Sequence, residues 1–253
     1  MTPTDYLLAA LAASAAGAIN AIAGGGTLIS FPALLALGVP PIVANVTNTV
    51  ALVPGFVGSA WSLRRDLVGQ RRRIIWLLPA ATIGGLLGGI LLLATSERVF
   101  SQMIPFLIVG AVILLALGDR VKRHVVARIP SDRMGREALI VPALAILFAA
   151  IYGGYFGGGL GIIILAVLGA VVADSLKRIN ALKQTISCTA NAAAAVLFMF
   201  SGDVLWVLAA VMAVGAVIGG VAGGHIAGRL TSRWLQRAVL AVGILAAIAY
   251  LVR

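Results

Sequence analysis

Two glycine triplets, Gly24-Gly25-Gly26 and Gly157-Gly158-Gly159, interrupt long apolar runs in a chain of 253 residues. A glycine weakens a helix by about 1 kcal/mol relative to alanine, so three in succession mark a helix break. Where a new helix starts just beyond such a break, its first turn presents unpaired N–H donors and about half a positive elementary charge. Two such ends facing each other would hold an anion without any arginine, and the missing side chain lets the anion approach the backbone closely. Phosphate loops use similar triplets, but those follow a strand in a soluble domain. Here the flanks are Ala-Ile-Asn-Ala-Ile before the first triplet and Leu-Ile-Ser-Phe-Pro after Thr27. Tight helix crossing is the competing use of the same glycines. The sets Gly84, Gly85, Gly88, Gly89 and Gly215, Gly219, Gly220, Gly223, Gly224 have four-residue spacing and read as packing.

Polar residues cluster near both triplets in sequence. Asn45, Asn48 and Thr49 follow Pro40-Pro41, and Gln184, Thr185, Ser187 and Asn191 occupy a comparable stretch of the second half. An unsatisfied polar group in hydrocarbon costs several kcal/mol, so each needs a partner. That partner is either an anion's oxygen or a neighbouring backbone group that the side chain caps. Lys183 is the one basic residue placed to enter the core beside such a stretch; its stem would alternatively snorkel to the interface. The candidate substrate-binding set is therefore Gly24, Gly25, Gly26, Thr27, Asn45, Asn48, Thr49, Gly157, Gly158, Gly159, Lys183, Gln184, Thr185, Ser187 and Asn191.

Other chemistries find no residues. The acids Asp5, Asp66, Glu97, Asp119, Asp132, Glu137, Asp174 and Asp203 all fall in expected loops or at span ends, which leaves a mid-membrane carboxylate relay unsupported. One cysteine and two separated histidines make no metal site, and Cys188 alone makes no disulfide. His225 reads as an interfacial residue. There is no nucleotide motif and no nucleophile–base pair, so the expectation is a non-enzyme without cofactor or metal.

The elements that must position these residues are membrane helices. Residues are 61% hydrophobic and 11% charged, with a mean hydropathy of +1.09, where soluble domains carry about 25% charged residues. The net charge of +11 would suggest nucleic acid in a soluble chain. Here the arginines lie in loops between apolar spans, so the expected partners are the lipid bilayer and a small anionic substrate, not nucleic acid. A homodimer is an allowed assembly. The start, Met1-Thr-Pro-Thr-Asp5, lacks the basic region of a cleavable signal peptide.

Uninterrupted spans are expected near 42–63, 74–94, 103–118, 185–200, 204–224 and 235–252. Arginine crowds the loops at 64–73, 119–137 and 229–237, whereas 95–102 and 201–203 are nearly free of it. The positive-inside rule then places the rich loops in the cytoplasm of an inner (plasma) membrane protein. Stretches 6–38 and 138–173 each start and end on one side, so each is expected as a re-entrant hairpin with its triplet at the tip. Arms of roughly 12 to 18 residues reach half to most of the way across. Both termini fall outside.

The halves repeat. Val46-Thr47-Asn48-Thr49-Val50 matches Leu182-Lys183-Gln184-Thr185-Ile186, Ile75-Trp76 matches Leu205-Trp206, and Thr95-Ser96 matches Thr231-Ser232. The expected fold is all-α: a polytopic membrane protein of two inverted repeats, each a re-entrant hairpin plus three transmembrane helices. The repeats span 1–118 and 138–253, with 119–137 as a basic cytoplasmic linker. An odd number of crossings per half inverts the second copy, which is the plan of alternating-access transporters with a site at the repeat interface.

Gly-Gly-Gly-Thr-Leu-Ile-Ser-Phe-Pro-Ala-Leu-Leu (24–35) followed by Ala-Asn-Val-Thr-Asn-Thr (44–49) resembles the first signature of the sulfite exporter TauE/SafE family, also called the toluenesulfonate uptake permease family. Asn180-Ala-Leu-Lys-Gln-Thr-Ile-Ser187 with Asn191, ahead of Phe198 and Trp206, resembles the second. The resemblance covers both halves in order. It implies a permease for sulfite, a sulfonate or a related sulfur-containing organic anion. Leu160 departs from the five-glycine run of a typical second signature and would narrow that tip. An anion channel, or a permease for a non-sulfur carboxylate, is the alternative, because facing helix ends also build filters.

Overall fold

The computed structural model describes residues 1–22, 24–127, 139–172 and 174–226, and all of its regular elements are helices. They are α1 (Pro3–Ile22), α2 (Thr27–Ala36), α3 (Pro41–Ser62), α4 (Arg71–Leu93), α5 (Glu97–Ala127), α6 (Ile140–Tyr155), α7 (Leu160–Val171), α8 (Leu176–Phe198) and α9 (Trp206–Ile226), with a short 3-10 turn at Arg64–Leu67. The span expected at 235–252, the Thr231-Ser232 match, the arginines at 229, 233 and 237 and most of the 119–137 loop lie outside the described residues.

Local sequence sets the boundaries. Pro41 opens α3 at the first helical position, where its missing N–H costs nothing. The Ser175 side chain caps α8 by accepting from the Arg178 amide at 3.4 Å. Both triplets end helices as expected, since α2 starts at Thr27 and α7 at Leu160. The hairpin arms are less equal than expected. α1 has 20 residues and α2 has 10, about 30 and 15 Å at the helical rise, while α6 has 16 and α7 has 12. The length of α1 follows from Ala9, Ala13, Ala16 and Gly17, small residues that let it lie along α9.

Two other boundaries moved. α5 runs for 31 residues, so 119–127 of the expected linker is helical rather than loop. α8 begins at Leu176, well before the span expected from residue 185. Hydropathy missed its first two turns because Lys177, Arg178, Asn180, Lys183 and Gln184 dilute the apolar signal. Among the described residues, five helices are long and apolar enough to cross a bilayer: α1, α3, α4, α9 and the Glu97–Leu117 part of α5. Phe106, Phe148 and Val207 are exposed by 78%, 68% and 66% on the outer face, an apolar surface that suits lipid rather than water. The chain is a polytopic membrane protein.

Helices α3 and α8 meet at the centre, and the hairpins are exchanged around them: α1 lies on α9, and α6 lies on α4. The contacts repeat residue by residue. Gly84, Gly85 and Gly88 of α4 press on the carbonyls of Leu147, Ala190 and Ile151, while Gly219 and Gly220 of α9 press on those of Ser14 and Gly55 and Gly223 packs against Ala18. A β-carbon at any of them would overlap backbone, so both ladders are packing surfaces. This register pairs Trp76 with Val211 rather than with Trp206. The α3 and α8 starts likewise pair Asn45 with Asn180, one residue away from the match drawn on 46–50 and 182–186. Helix starts and glycine contacts set the spacing, and similarity of residue type does not.

Candidate functional site

The hairpin tips meet inside the molecule. At the first, Gly24 takes φ +85° and its amide donates to the Ile19 carbonyl at 2.9 Å. At the second, Gly157 takes φ +80° and its amide donates to the Tyr152 carbonyl at 3.4 Å. These are the left-handed turns that favour glycine at a helix C-terminus. A β-carbon on Gly24 would lie 2.6 Å from the Cα of Gly161, two residues past the second triplet. A β-carbon on Gly157 would lie 3.7 Å from both Thr27 Oγ1 and Asn191 Oδ1. The two tips thus overlap by about a turn, and glycine is what lets their backbones touch.

The donors at the tips are not equivalent. At the first tip the Gly26 amide already donates to Asn20 Oδ1 at 2.7 Å. At the second tip Tyr152 donates its hydroxyl to the Gly158 carbonyl at 2.6 Å, and the amides of Gly158 and Gly159 have no acceptor among the described residues. At the α2 start the Gly25 and Thr27 amides likewise have no acceptor among the described residues, so both helix starts present backbone donors.

Lys183 is 1% exposed, so its ammonium does not snorkel to water. It donates to the Asn20 carbonyl at 3.3 Å near the end of α1, where helix carbonyls carry partial negative charge. Asn20 therefore holds the first tip amide with its side chain and the buried cation with its backbone. It was not among the sequence candidates; an amide four residues before Gly24 in an otherwise apolar helix was the available signal. Asn180, a signature residue, donates its side-chain amide to the Ala21 carbonyl at 3.4 Å.

The other candidates divide by what their polar atoms already do. Thr49, Thr185 and Asn191 donate back to the carbonyls of Asn45, Ala181 and Ser187 at 2.9, 3.0 and 2.8 Å. Asn45 donates to the Tyr155 carbonyl at 2.8 Å, tying α3 to the second hairpin. Among the described residues, five keep buried side-chain atoms without a hydrogen bond: Ser30 Oγ, Asn45 Oδ1, Asn48 Oδ1, both amide atoms of Gln184, and Ser187 Oγ. All come from α2, α3 and α8, the helices that surround the tips. Leaving such groups unpaired costs about 1–3 kcal/mol each. Ser30 joins Asn20 as a residue that sequence reading passed over.

An aromatic cluster lies beside the second tip. Phe31 packs edge-on against Phe156 and Phe100, with ring centroids 5.4 and 6.4 Å apart, and Phe100 packs against Tyr155 at 5.8 Å. At the opposite end of the core, where α4 and α8 begin, Asp174 pairs with Arg73 and Arg178 at 2.7 and 2.8 Å. Burial pushes the Asp174 carboxyl up, but hydrogen bonds from Arg178 and Arg73, the Ser175 amide and the Arg178 charge outweigh it and hold the pKa below the ordinary 3.8. The buried polar groups are thus flanked by an aromatic cluster and by an ionic clasp.

Comparison with known proteins supplies relatives over most of the chain. The family model described as sulfite exporter TauE/SafE matches residues 9–250. A probable membrane transporter protein of Haemophilus influenzae is 32% identical over 204 residues, 79% of this chain and 76% of its own length. The probable membrane transporter protein ORF9 of a Sinorhizobium species is 28% identical over 214 residues, 83% and 79% of the two lengths. The probable membrane transporter protein YfcA of Escherichia coli K12 is 27% identical over 205 residues, 79% and 72% of the two lengths.

Proposed function

The chain belongs to the sulfite exporter TauE/SafE family of membrane transporters, and from that premise we propose that it is a secondary transporter for a small anion. The substrate class is sulfite, a sulfonate or a related sulfur-containing organic anion. It is held where the two hairpin tips overlap and is moved by alternating access, in the plasma membrane, with the arginine-rich loops inside and both termini outside.

The observation that carries this reading is the contact of Gly24 with Gly161 beside the buried Lys183. Two helix breaks touch in a buried polar core with a lysine and unpaired amide and hydroxyl atoms nearby. Irregular backbone at such depth is stable only when buried in protein or lining a cavity. The hairpins exchanged between halves and the paired glycine ladders support an inverted repeat, the plan in which one rocking motion opens either side in turn.

The test is flux in sealed proteoliposomes at matched protein amounts. Sulfite, an alkylsulfonate and a carboxylate of similar size are compared as labelled substrates. The expected result is saturable uptake of the sulfur oxyanions that is accelerated by unlabelled substrate on the other side. Non-saturating flux without that acceleration would favour a pore instead, and uptake of the carboxylate alone would reassign the substrate.

A further inference from the structure

On the lipid-facing side, far in sequence from either triplet, α3 and α9 leave a groove of about 680 Å³ lined by Pro54, Val57, Gly58, Trp61, Val217 and Val221 and closed by Arg64, Arg65 and His225. We propose that this groove binds an anionic phospholipid, with the headgroup phosphate at Arg64 and Arg65 and the start of an acyl chain along the valines.

The groove changes chemistry along its length in the way an amphiphile does. Its floor lies within α3 and α9, two of the helices apolar enough to span a bilayer. Gly58 makes the floor deep, because a β-carbon there would come within 2.9 Å of the Val221 side chain. Its rim lies where both helices end, and there the side chains turn cationic and aromatic. Arg64 stacks over the Trp61 ring at 4.4 Å and donates to the Trp61 carbonyl at 2.8 Å, which fixes the guanidinium at the rim. Trp61 itself is 67% exposed, the setting of an interfacial tryptophan at headgroup level.

The rim arginines face no carboxylate partner among the described residues. Among the described residues the ion pairs belong to Arg73 and Arg178 with Asp174, and neither Arg64 nor Arg65 takes part. A guanidinium matches a phosphate geometrically through paired N–H donors. The anionic leaflet attracts such residues even without a fitted groove. A soluble anion would have no use for the valine floor, and an uncharged lipid would have none for the arginines. The charged rim continuous with an apolar floor therefore selects one occupant, and the volume suits a headgroup with the upper part of a chain.

The experiment uses the full chain, purified in detergent, and reads its thermal midpoint together with lipid retained in native mass spectra. Dioleoyl phosphatidylglycerol should raise the midpoint and be retained. Dioleoyl phosphatidylcholine, with the same chains, should do so at least tenfold less effectively by concentration. Glycerol 3-phosphate should have no effect. The Arg64→Gln, Arg65→Gln double variant should lose the preference for phosphatidylglycerol, and the Arg64→Lys, Arg65→Lys pair should keep most of it. Val57→Trp, a substitution at an exposed position, should fill the groove and abolish retention of phosphatidylglycerol with the arginines intact. Equal action of the two lipids on the unaltered protein would overturn the proposal. So would a phosphatidylglycerol preference undiminished in the glutamine pair or in Val57→Trp, while stabilisation by glycerol 3-phosphate alone would replace the lipid with a soluble phosphate.

Discussion

Asn45 and Asn180 make the same hydrogen bond to opposite hairpins. Each stands four residues beyond the first residue of its helix, Pro41 in α3 and Leu176 in α8. Asn45 donates to the Tyr155 carbonyl at 2.8 Å, and Asn180 to the Ala21 carbonyl at 3.4 Å. The central helix of each half thereby holds the hairpin of the other half at the end of its first arm. A hairpin that tilted would pull on the central helix of the opposite half, which is the coupling a rocking motion needs.

The strengths of these two bonds should differ. Asn45→Ala should lower stability by about 1–3 kcal/mol, the cost of leaving a buried carbonyl unpaired. Asn180→Ala should cost less, because its bond is longer and its side chain is only half-buried. Thermal midpoints of the two variants in one detergent check the order. A larger loss at Asn180 would contradict it.

At the first tip, neighbouring glycines should respond oppositely to alanine. Gly24→Ala places a side chain at φ +85° and 2.6 Å from the Gly161 Cα. Left-handed strain of about 1–2 kcal/mol adds to overpacking of about 1–3 kcal/mol. The nearest atoms that Gly25→Ala meets are flexible side-chain ends, of Leu115 at 3.3 Å and Leu28 at 3.8 Å. The expected outcome is a folded, well-expressed Gly25 variant and a Gly24 variant that unfolds at clearly lower temperature. Larger side chains extend the test to transport. Gly25→Val should abolish flux while leaving a folded protein, since its branched carbons occupy space at the tip that an anion would use.

Replacing the buried cation separates two roles. Lys183→Met keeps the length and apolar stem but removes the charge that faces the Asn20 carbonyl. If the ammonium draws the anion in, flux per folded molecule should fall at least tenfold and Lys183→Arg should restore part of it. Unchanged flux with a lowered thermal midpoint would leave Lys183 as a cap on α1 alone.

The ionic clasp should make stability depend on acid. The Asp174 carboxyl is held below its ordinary pKa, so its stabilisation is fully present above the unfolded value and is lost as pH falls through the folded one, below about pH 4. Asp174→Asn should lower the thermal midpoint at neutral pH through the bonds to Arg73 and Arg178, worth about 1–3 kcal/mol together. The gap between variant and unaltered protein should stay constant from pH 7 to 5 and close in stronger acid. A gap that widened in acid would mean that the pairing does not stabilise the fold.

Much of this architecture is legible in composition and punctuation. Hydropathy and arginine placement mark a membrane protein with apolar spans, because a bilayer core admits few charges and the loops must carry them. The triplets mark both breaks to the residue, since glycine is the cheapest way to turn a chain through positive φ. What only the tertiary structure decided is which polar atoms remain available. Thr49, Thr185 and Asn191 look like ligands in sequence, yet each donates to the preceding turn of its own helix. Asn20 and Ser30 look incidental, yet one ties a tip amide to Lys183 and the other is buried without a partner. The correspondence between the two glycine ladders was hidden for the same reason. Gly84 and Gly219 are equivalent because each presses on the same carbonyl position of a neighbouring hairpin, and a partner in space leaves no mark on the identity of the residue that meets it.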